Sequence, residues 1–328
     1  MPKRVAAYTL VSLCAALCQA AAQAPDIVTL EIEWENGVNY FGDNSDLTKL
    51  ATSPVTVNAN TRNFMEGTAI ADIVSVNGKP AKGSWVGRAQ LVMLFPNPAV
   101  GQAIGDIGRP VVGDLYIELL QADGTRIGTI TGVGSPVGPP PPGSPPGFTG
   151  NLTVTGGTGA FLGARGMLTG PPYTFRAASM QEDPSNRRVN GGGRGRYVVY
   201  LIPMLRPEIV AGASGPGVLH ADFSPVTPSR PARSGETIVL MATGLGPTRP
   251  GMAPGTPFPE SPVQEVNSPL EVTLNGKSAE VLNKIGWPGM TGTYRLDIKV
   301  PDGTTPGMAS LQVTSGFVPG PEVRVPIQ

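Results

Sequence analysis

Imidazole and thiol are nearly missing from this chain. Its 328 residues include one histidine, His220, and two cysteines, Cys14 and Cys18. A histidine-containing triad would have to use His220, and a multi-histidine zinc site is excluded. Charge of either sign is also in short supply: 24 basic and 24 acidic side chains leave a formal net charge of zero. Without Lys3 and Arg4 the balance would be 22 against 24. Neither balance makes an electrostatic case for nucleic acid or an anionic membrane. Sustained helix-forming composition is missing as well. With 44 glycines and 36 prolines, the chain favours short strands and turns. A hydrophobic content of 40% is still adequate for buried cores.

The first residues read as an export signal. Lys3 and Arg4 precede an apolar run from Val5 to Leu17, and Ala20-Ala21-Ala22 and Ala22-Gln23-Ala24 each offer a small-x-small cleavage pattern. Pro25 disfavours the later cut. The run is too short for a comfortable membrane span. Cys14 and Cys18 fall inside this segment without the Leu-small-small-Cys context of a lipoprotein site. Residues 1–24 are therefore expected to be removed on export, leaving a secreted, cysteine-free mature chain. Such a chain has no disulfides, thiol chemistry or cysteine-based zinc site, and no membrane span.

The segment from Asn151 to Gly170 supports two incompatible readings. Val154-Thr155-Gly156-Gly157-Thr158-Gly159 followed by Gly163 has the spacing of a nucleotide-binding turn. That chemistry requires a helix whose N-terminus holds the pyrophosphate. Here Gly163, Gly166, Gly170, Pro171 and Pro172 leave no room for one. Glu182 and Asp183, spaced for a ribose contact, lie in a polar loop-like run. The other reading is a glycine-rich hairpin. Leu152 and Val154 alternate with Thr153 and Thr155, and Gly156, Gly157 and Gly159 supply positive-φ turn positions. Phe161 adds an apolar anchor, while Gly163 and Gly166 allow bends. No cofactor follows from the hairpin reading.

Period-2 patterning surrounds this hairpin. Leu30, Ile32 and Trp34 alternate with Glu31, Glu33 and Glu35. Further strands are expected over 69–76 and 84–95 with a turn at Asn77-Gly78, over 114–120 and 126–131 with a turn at Asp123-Gly124, and over 195–203. Residues 134–147 and 178–193 read as extended or mobile loops. The motif from Thr153 to Gly166 resembles the hairpin of allene oxide cyclase and dirigent-like barrels. That resemblance implies an antiparallel β-barrel over residues 25–205, with a lumen that in such relatives is mostly apolar.

Residues 206–223 read as a linker, and residues 224–328 as a second all-β unit with about seven short strands, the spacing of an immunoglobulin-like sandwich. Ser234-Gly235-Glu236, Gly244-Leu245-Gly246-Pro247, Leu274-Asn275-Gly276-Lys277 and the run from Gly292 to Pro301 resemble a C-terminal domain of exported, Solibacter-type bacterial proteins. That domain is itself similar to IPT/TIG immunoglobulin-like folds, and it brings no catalytic residues with it. The fold class expected for the whole chain is all-β, an antiparallel barrel followed by an immunoglobulin-like sandwich.

Few side chains suggest chemistry. Glu31, Glu33 and Glu35, with Asp26 nearby, form an acidic comb able to bind a hard cation or simply to face solvent, and solvent is the simpler reading. Asp43-Asn44-Ser45-Asp46 lacks the glycine and terminal glutamate of a calcium loop. Arg187, Arg188, Arg194 and Arg196 flank a Gly-Gly-Gly run and are read as a solvated loop in preference to an anion site. Trp34 and Trp85 sit on strand patterns and are expected in the core. Trp287, in Gly286-Trp287-Pro288-Gly289, is a candidate carbohydrate or protein contact. His220 is expected to be exposed in the linker. No metal or cofactor is expected. Two functions are compatible with these residues. The first is a non-enzymatic exported binding or structural protein, whose partner would be a small apolar ligand, a carbohydrate or a cell-surface protein. The alternative is isomerase- or cyclase-like chemistry in the barrel lumen, with Glu31, Glu33, Arg88 and Tyr116 as candidate polar lining.

Overall fold

The computed structural model describes residues 27–43, 63–93, 111–136, 140–171, 175–212, 215–253 and 255–328. The expected export signal over residues 1–24, both cysteines, Asp26 and residues 44–46 lie outside them. Within the described residues the chain is all-β, and its first half closes into an eight-stranded antiparallel barrel.

The barrel strands are β1 (Val28–Asp43), β2 (Asn63–Val76), β3 (Lys79–Met93), β4 (Val111–Leu120), β5 (Arg126–Ser135), β6 (Thr149–Gly159), β7 (Arg165–Gly170) and β9 (Gly193–Ile202). Each pairs antiparallel with its neighbour, and β1 closes the ring by pairing with both β2 and β9. A short β8 (Arg176–Ser179) adds in parallel to the far half of β1 where β9 has ended.

Alternation decides what fills the barrel. Leu30, Ile32 and Trp34 point inward with Trp85, Leu115, Ile117, Val154, Leu168 and Val199. At mid-height the interior is a stack of rings. Trp34 lies 4.7 Å from Phe175, and Trp85 lies 5.3 Å from Phe175 and 5.4 Å from Tyr197. Gly87 makes this possible, because a Cβ there would lie 2.7 Å from the Trp85 ring. The outward positions of the same strands carry Glu31, Glu33, Arg88, Asp114 and Arg196. Inward-apolar and outward-charged is the reverse of what a lipid-facing barrel wall needs. Among the described residues, no helix is long and apolar enough to cross a membrane.

The glycine-rich segment is the β6–β7 hairpin, with a turn over residues 160–164 and no helix. Its glycines divide the work differently from the sequence expectation. Gly159 and Gly163 hold positive φ (61° and 68°), whereas Gly156 and Gly157 lie within β6 and outside the left-handed region. Gly157 is needed for close approach: a Cβ there would sit 2.3 Å from the Thr129 carbonyl and 2.6 Å from that of Phe161. The approach lets Phe161 fold fully under the hairpin.

The stretch 178–193, expected to be an extended or mobile loop, is instead built onto the barrel. It contains the end of β8 and a 3-10 helix, Pro184–Arg188, capped by Asp183. Ala178 packs with Val38, Tyr40 and Ile70 in a small cluster separate from the main core.

The second unit is a curled sheet of 11 strands among the described residues, centred on Thr237–Thr243, Thr293–Lys299, Lys277–Gly286, Leu270–Leu274 and Gly307–Ser315. Lys277–Gly286 pairs with Leu270–Leu274 at one end and Thr293–Lys299 at the other, with a register shift between Val281 and Asn283. Ile238, Leu240, Val272, Leu296, Ile298 and Leu311 form its core. Residues 206–223 contribute Glu208–Ile209 and Val218–His220 to this sheet. His220 is therefore buried, not exposed. Its Nδ1 meets Glu236 Oε1 at 2.5 Å and its Nε2 faces the Arg230 carbonyl at 3.2 Å. The burial signal was the apolar pair Val218-Leu219 leading into it.

Replacing Trp34 by alanine should lower unfolding free energy by about 3–5 kcal/mol, because its neighbours cannot collapse into an indole-sized void. Glu31→Gln should cost less than about 1 kcal/mol. Urea denaturation of the two variants beside the parent chain checks both.

Candidate functional site

The barrel has two unlike ends. One carries the tight turns β2–β3 at Asn77-Gly78, β4–β5 over residues 121–125 and β6–β7 over residues 160–164. Against these turns dock the second unit's segments 245–249, 267–271 and 315–319. The Asn267 amide donates to the Arg126 carbonyl at 2.6 Å, and Gln121 donates to the Asn267 carbonyl. Arg249 reaches Thr125, and Lys79 pairs with Glu271. The contact is also hydrophobic, since Val318 of the second unit is fully buried in the barrel's own core cluster.

A two-residue turn places that valine. Ser315 pairs with Val318, and both residues between them hold positive φ, Gly316 at 55° and Phe317 at 69°. This is the backbone a primed hairpin turn requires, and glycine meets it freely. Phenylalanine does not: a left-handed residue with a Cβ costs roughly 1–2 kcal/mol. Docking holds Phe317 there, against the end of the barrel core.

Beside this turn the two units leave a groove of about 700 Å³. Pro80, Leu120 and Ile127 line its barrel side, and Leu270, Phe317 and Pro319 the other. Lys79 and Glu271, already paired, stand at its edge with Lys82, whose ammonium donates to the Ala122 carbonyl at 2.7 Å. Volume, apolar lining and position between units are those of a small-molecule cleft. Sequence reasoning missed it because its two walls come from distant parts of the chain, Leu120 and Phe317 being 197 positions apart.

The residues singled out from sequence fall elsewhere. Glu31, Glu33 and Glu35 lie on the outer wall and meet the arginine cluster. Arg196 pairs with Glu31, Arg194 approaches Glu35 at 3.8 Å, and Ser75 donates to Glu33 at 2.6 Å. Among the described residues, no group of three or more metal-ligating side chains converges. Arg88 and Tyr116 are also on the wall, diagonal to each other across β3 and β4, and line a smaller groove there. Trp287 lies 6.1 Å from the exposed, positive-φ Phe223, whose ring is covered by Arg295 at 5.1 Å. The barrel interior receives none of Glu31, Glu33, Arg88 or Tyr116.

Asp72 is the anchor for the arginine-rich segment. It accepts from Arg188 at 2.7 and 2.8 Å, from Asn36 at 3.0 Å and from the buried Arg187. Burial is the largest influence on its carboxyl and opposes ionisation. The hydrogen bonds from Arg188, Asn36 and Arg187 together outweigh it and hold the group below its ordinary value.

Compared with protein-family models, with curated proteins and with solved structures, the chain matches none. Fold and site together define a class: an all-β protein of two docked units with an apolar groove between them.

Asp72→Asn should cost about 3 kcal/mol by leaving Arg187 buried beside a neutral partner. The sign of the pH effect follows from the depressed native pKa. The Asp72 contribution is full above the unfolded value of about 3.9 and is lost as pH falls through the lower native value. Thermal melts from pH 6 to pH 2 should therefore show a shallower acid limb in the variant than in the parent.

Proposed function

We propose that this chain is an exported bacterial, non-enzymatic binding protein that holds a small apolar molecule between its barrel and its second unit. The groove of about 700 Å³, walled by side chains from both units, carries this reading. The Lys-Arg start, the apolar run and the alanine-rich cleavage patterns support export of a cysteine-free mature chain. In the same reading the barrel is of the allene oxide cyclase and dirigent-like kind, and the second unit is an immunoglobulin-like, IPT/TIG-type accessory domain. Its docked face completes the site. The filled ring stack at mid-barrel favours the groove over the lumen as the place for a ligand.

Phe317 gives the test its resolving power. Phe317→Gly removes one wall of the groove and also releases the φ strain, so the fold should survive. The parent chain should bind the neutral apolar fluorophore N-phenyl-1-naphthylamine saturably and melt at a higher temperature with it, by the usual linkage of ligand to stability. Phe317→Gly and Leu120→Arg should each lose most of that fluorescence gain. A parent chain that gives no saturable signal, or variants that bind like the parent, would overturn the proposal.

A further inference from the structure

A second groove, on the outer wall of the barrel and independent of the inter-unit cleft, has different chemistry. It encloses about 380 Å³ across β2, β3, β4, β5 and β6, and its polar lining is Thr68, Arg88, Asp114, Tyr116, Thr131 and Thr155. Strand register brings these together: Thr68 lies beside Arg88, Arg88 beside Asp114, and Tyr116 beside Thr131. Arg88 donates to Asp114 at 2.6 Å, so the groove's one cation and one anion satisfy each other. Tyr116 is 39% and Val133 48% exposed, and Val86 also lines the groove, so apolar surface stands beside the polar side chains. The Tyr116 hydroxyl has no hydrogen-bond partner among the described residues.

We propose that this groove binds a neutral saccharide. A pyranose presents C–H faces and a rim of hydroxyls that both donate and accept. The Tyr116 ring and the Val133 methyls suit the first; the Tyr116 hydroxyl, the Arg88–Asp114 pair and the acceptor lone pairs of Thr131 and Thr155, whose hydroxyls already contact each other and the Gly156 and Thr131 carbonyls, suit the second. Charge selects against an anionic occupant, because the Arg88 charge is already balanced by Asp114 and the carboxylate stands beside any anion that approaches it. Geometry selects against an added peptide strand, because the wall of a closed barrel offers no unpaired backbone edge. Recognition here runs through side chains.

Affinity electrophoresis of the full chain tests this, in gels containing laminarin, hydroxyethylcellulose, galactomannan or dextran, with alginate as the anionic control. At least one neutral glycan should retard the protein, and alginate should retard it less. Tyr116→Ala should weaken that binding roughly tenfold, Arg88→Ala should weaken it, and Tyr116→Phe should retain most of it. All three variants should melt like the parent, since these side chains point to solvent. Trp287→Ala should leave the retardation unchanged. Retardation by none of the neutral glycans, stronger retardation by alginate, full binding by Tyr116→Ala, or loss with Trp287→Ala instead would each overturn the proposal.

Discussion

Close packing of rings inside the barrel is the constraint from which the rest of the first unit follows. An eight-stranded ring has an interior just wide enough for side chains to fill. Here Trp34, Trp85, Phe175 and Tyr197 take the middle, and Leu30, Ile127, Phe161 and Leu201 help to fill the rest. Because side chains alternate along a strand, fixing these positions inward fixes their neighbours outward. The charged comb, the arginines and the wall groove are consequences of where the rings went.

Among the described residues, the eight strands of the closed ring are each paired on both sides, and the second unit attaches at an end. The turn at Gly316 and Phe317 drives Val318 into the barrel core, and hydrogen bonds from Asn267 and Gln121 surround it. A bulky residue at positive φ is tolerated because packing against the barrel core on one side holds it. The same feature makes the groove: Phe317 stands where the barrel turns and the second sheet fail to meet. Docking and groove thus share one structural origin.

Much of this was legible along the chain. Alternation from Thr29 to Glu35 gave both the inward tryptophan and the outward glutamates, and the proline stop after Gly170 settled the hairpin against a nucleotide-binding helix. The wall position of Arg88 and Tyr116 was also within reach, because Trp85 inward puts Arg88 outward and Ile117 inward puts Tyr116 outward. Other features were hidden for physical reasons. Residues 178–193 are polar and rich in glycine, which reads as loop; what orders them is Asp72, more than 100 residues earlier. His220 looked like a linker residue because nothing local announces Glu236 and the Arg230 carbonyl as its partners.

Sequence by itself determined the class of structure: strands from period-2 patterning, turns from glycine and proline, and a chemistry restricted by one histidine and two cysteines. It also determined which side of each strand is apolar, since alternation is a local property of the backbone. Only the tertiary structure decided who meets whom. Two candidate sites along the chain, the acidic comb and the arginine cluster, are divided among partners: Glu31 and Glu35 meet Arg196 and Arg194 across the β1–β9 pairing, Arg187 and Arg188 go to Asp72, and the groove's walls come from separate units. Long-range contacts of this kind depend on barrel closure and end-on docking, which no local pattern encodes.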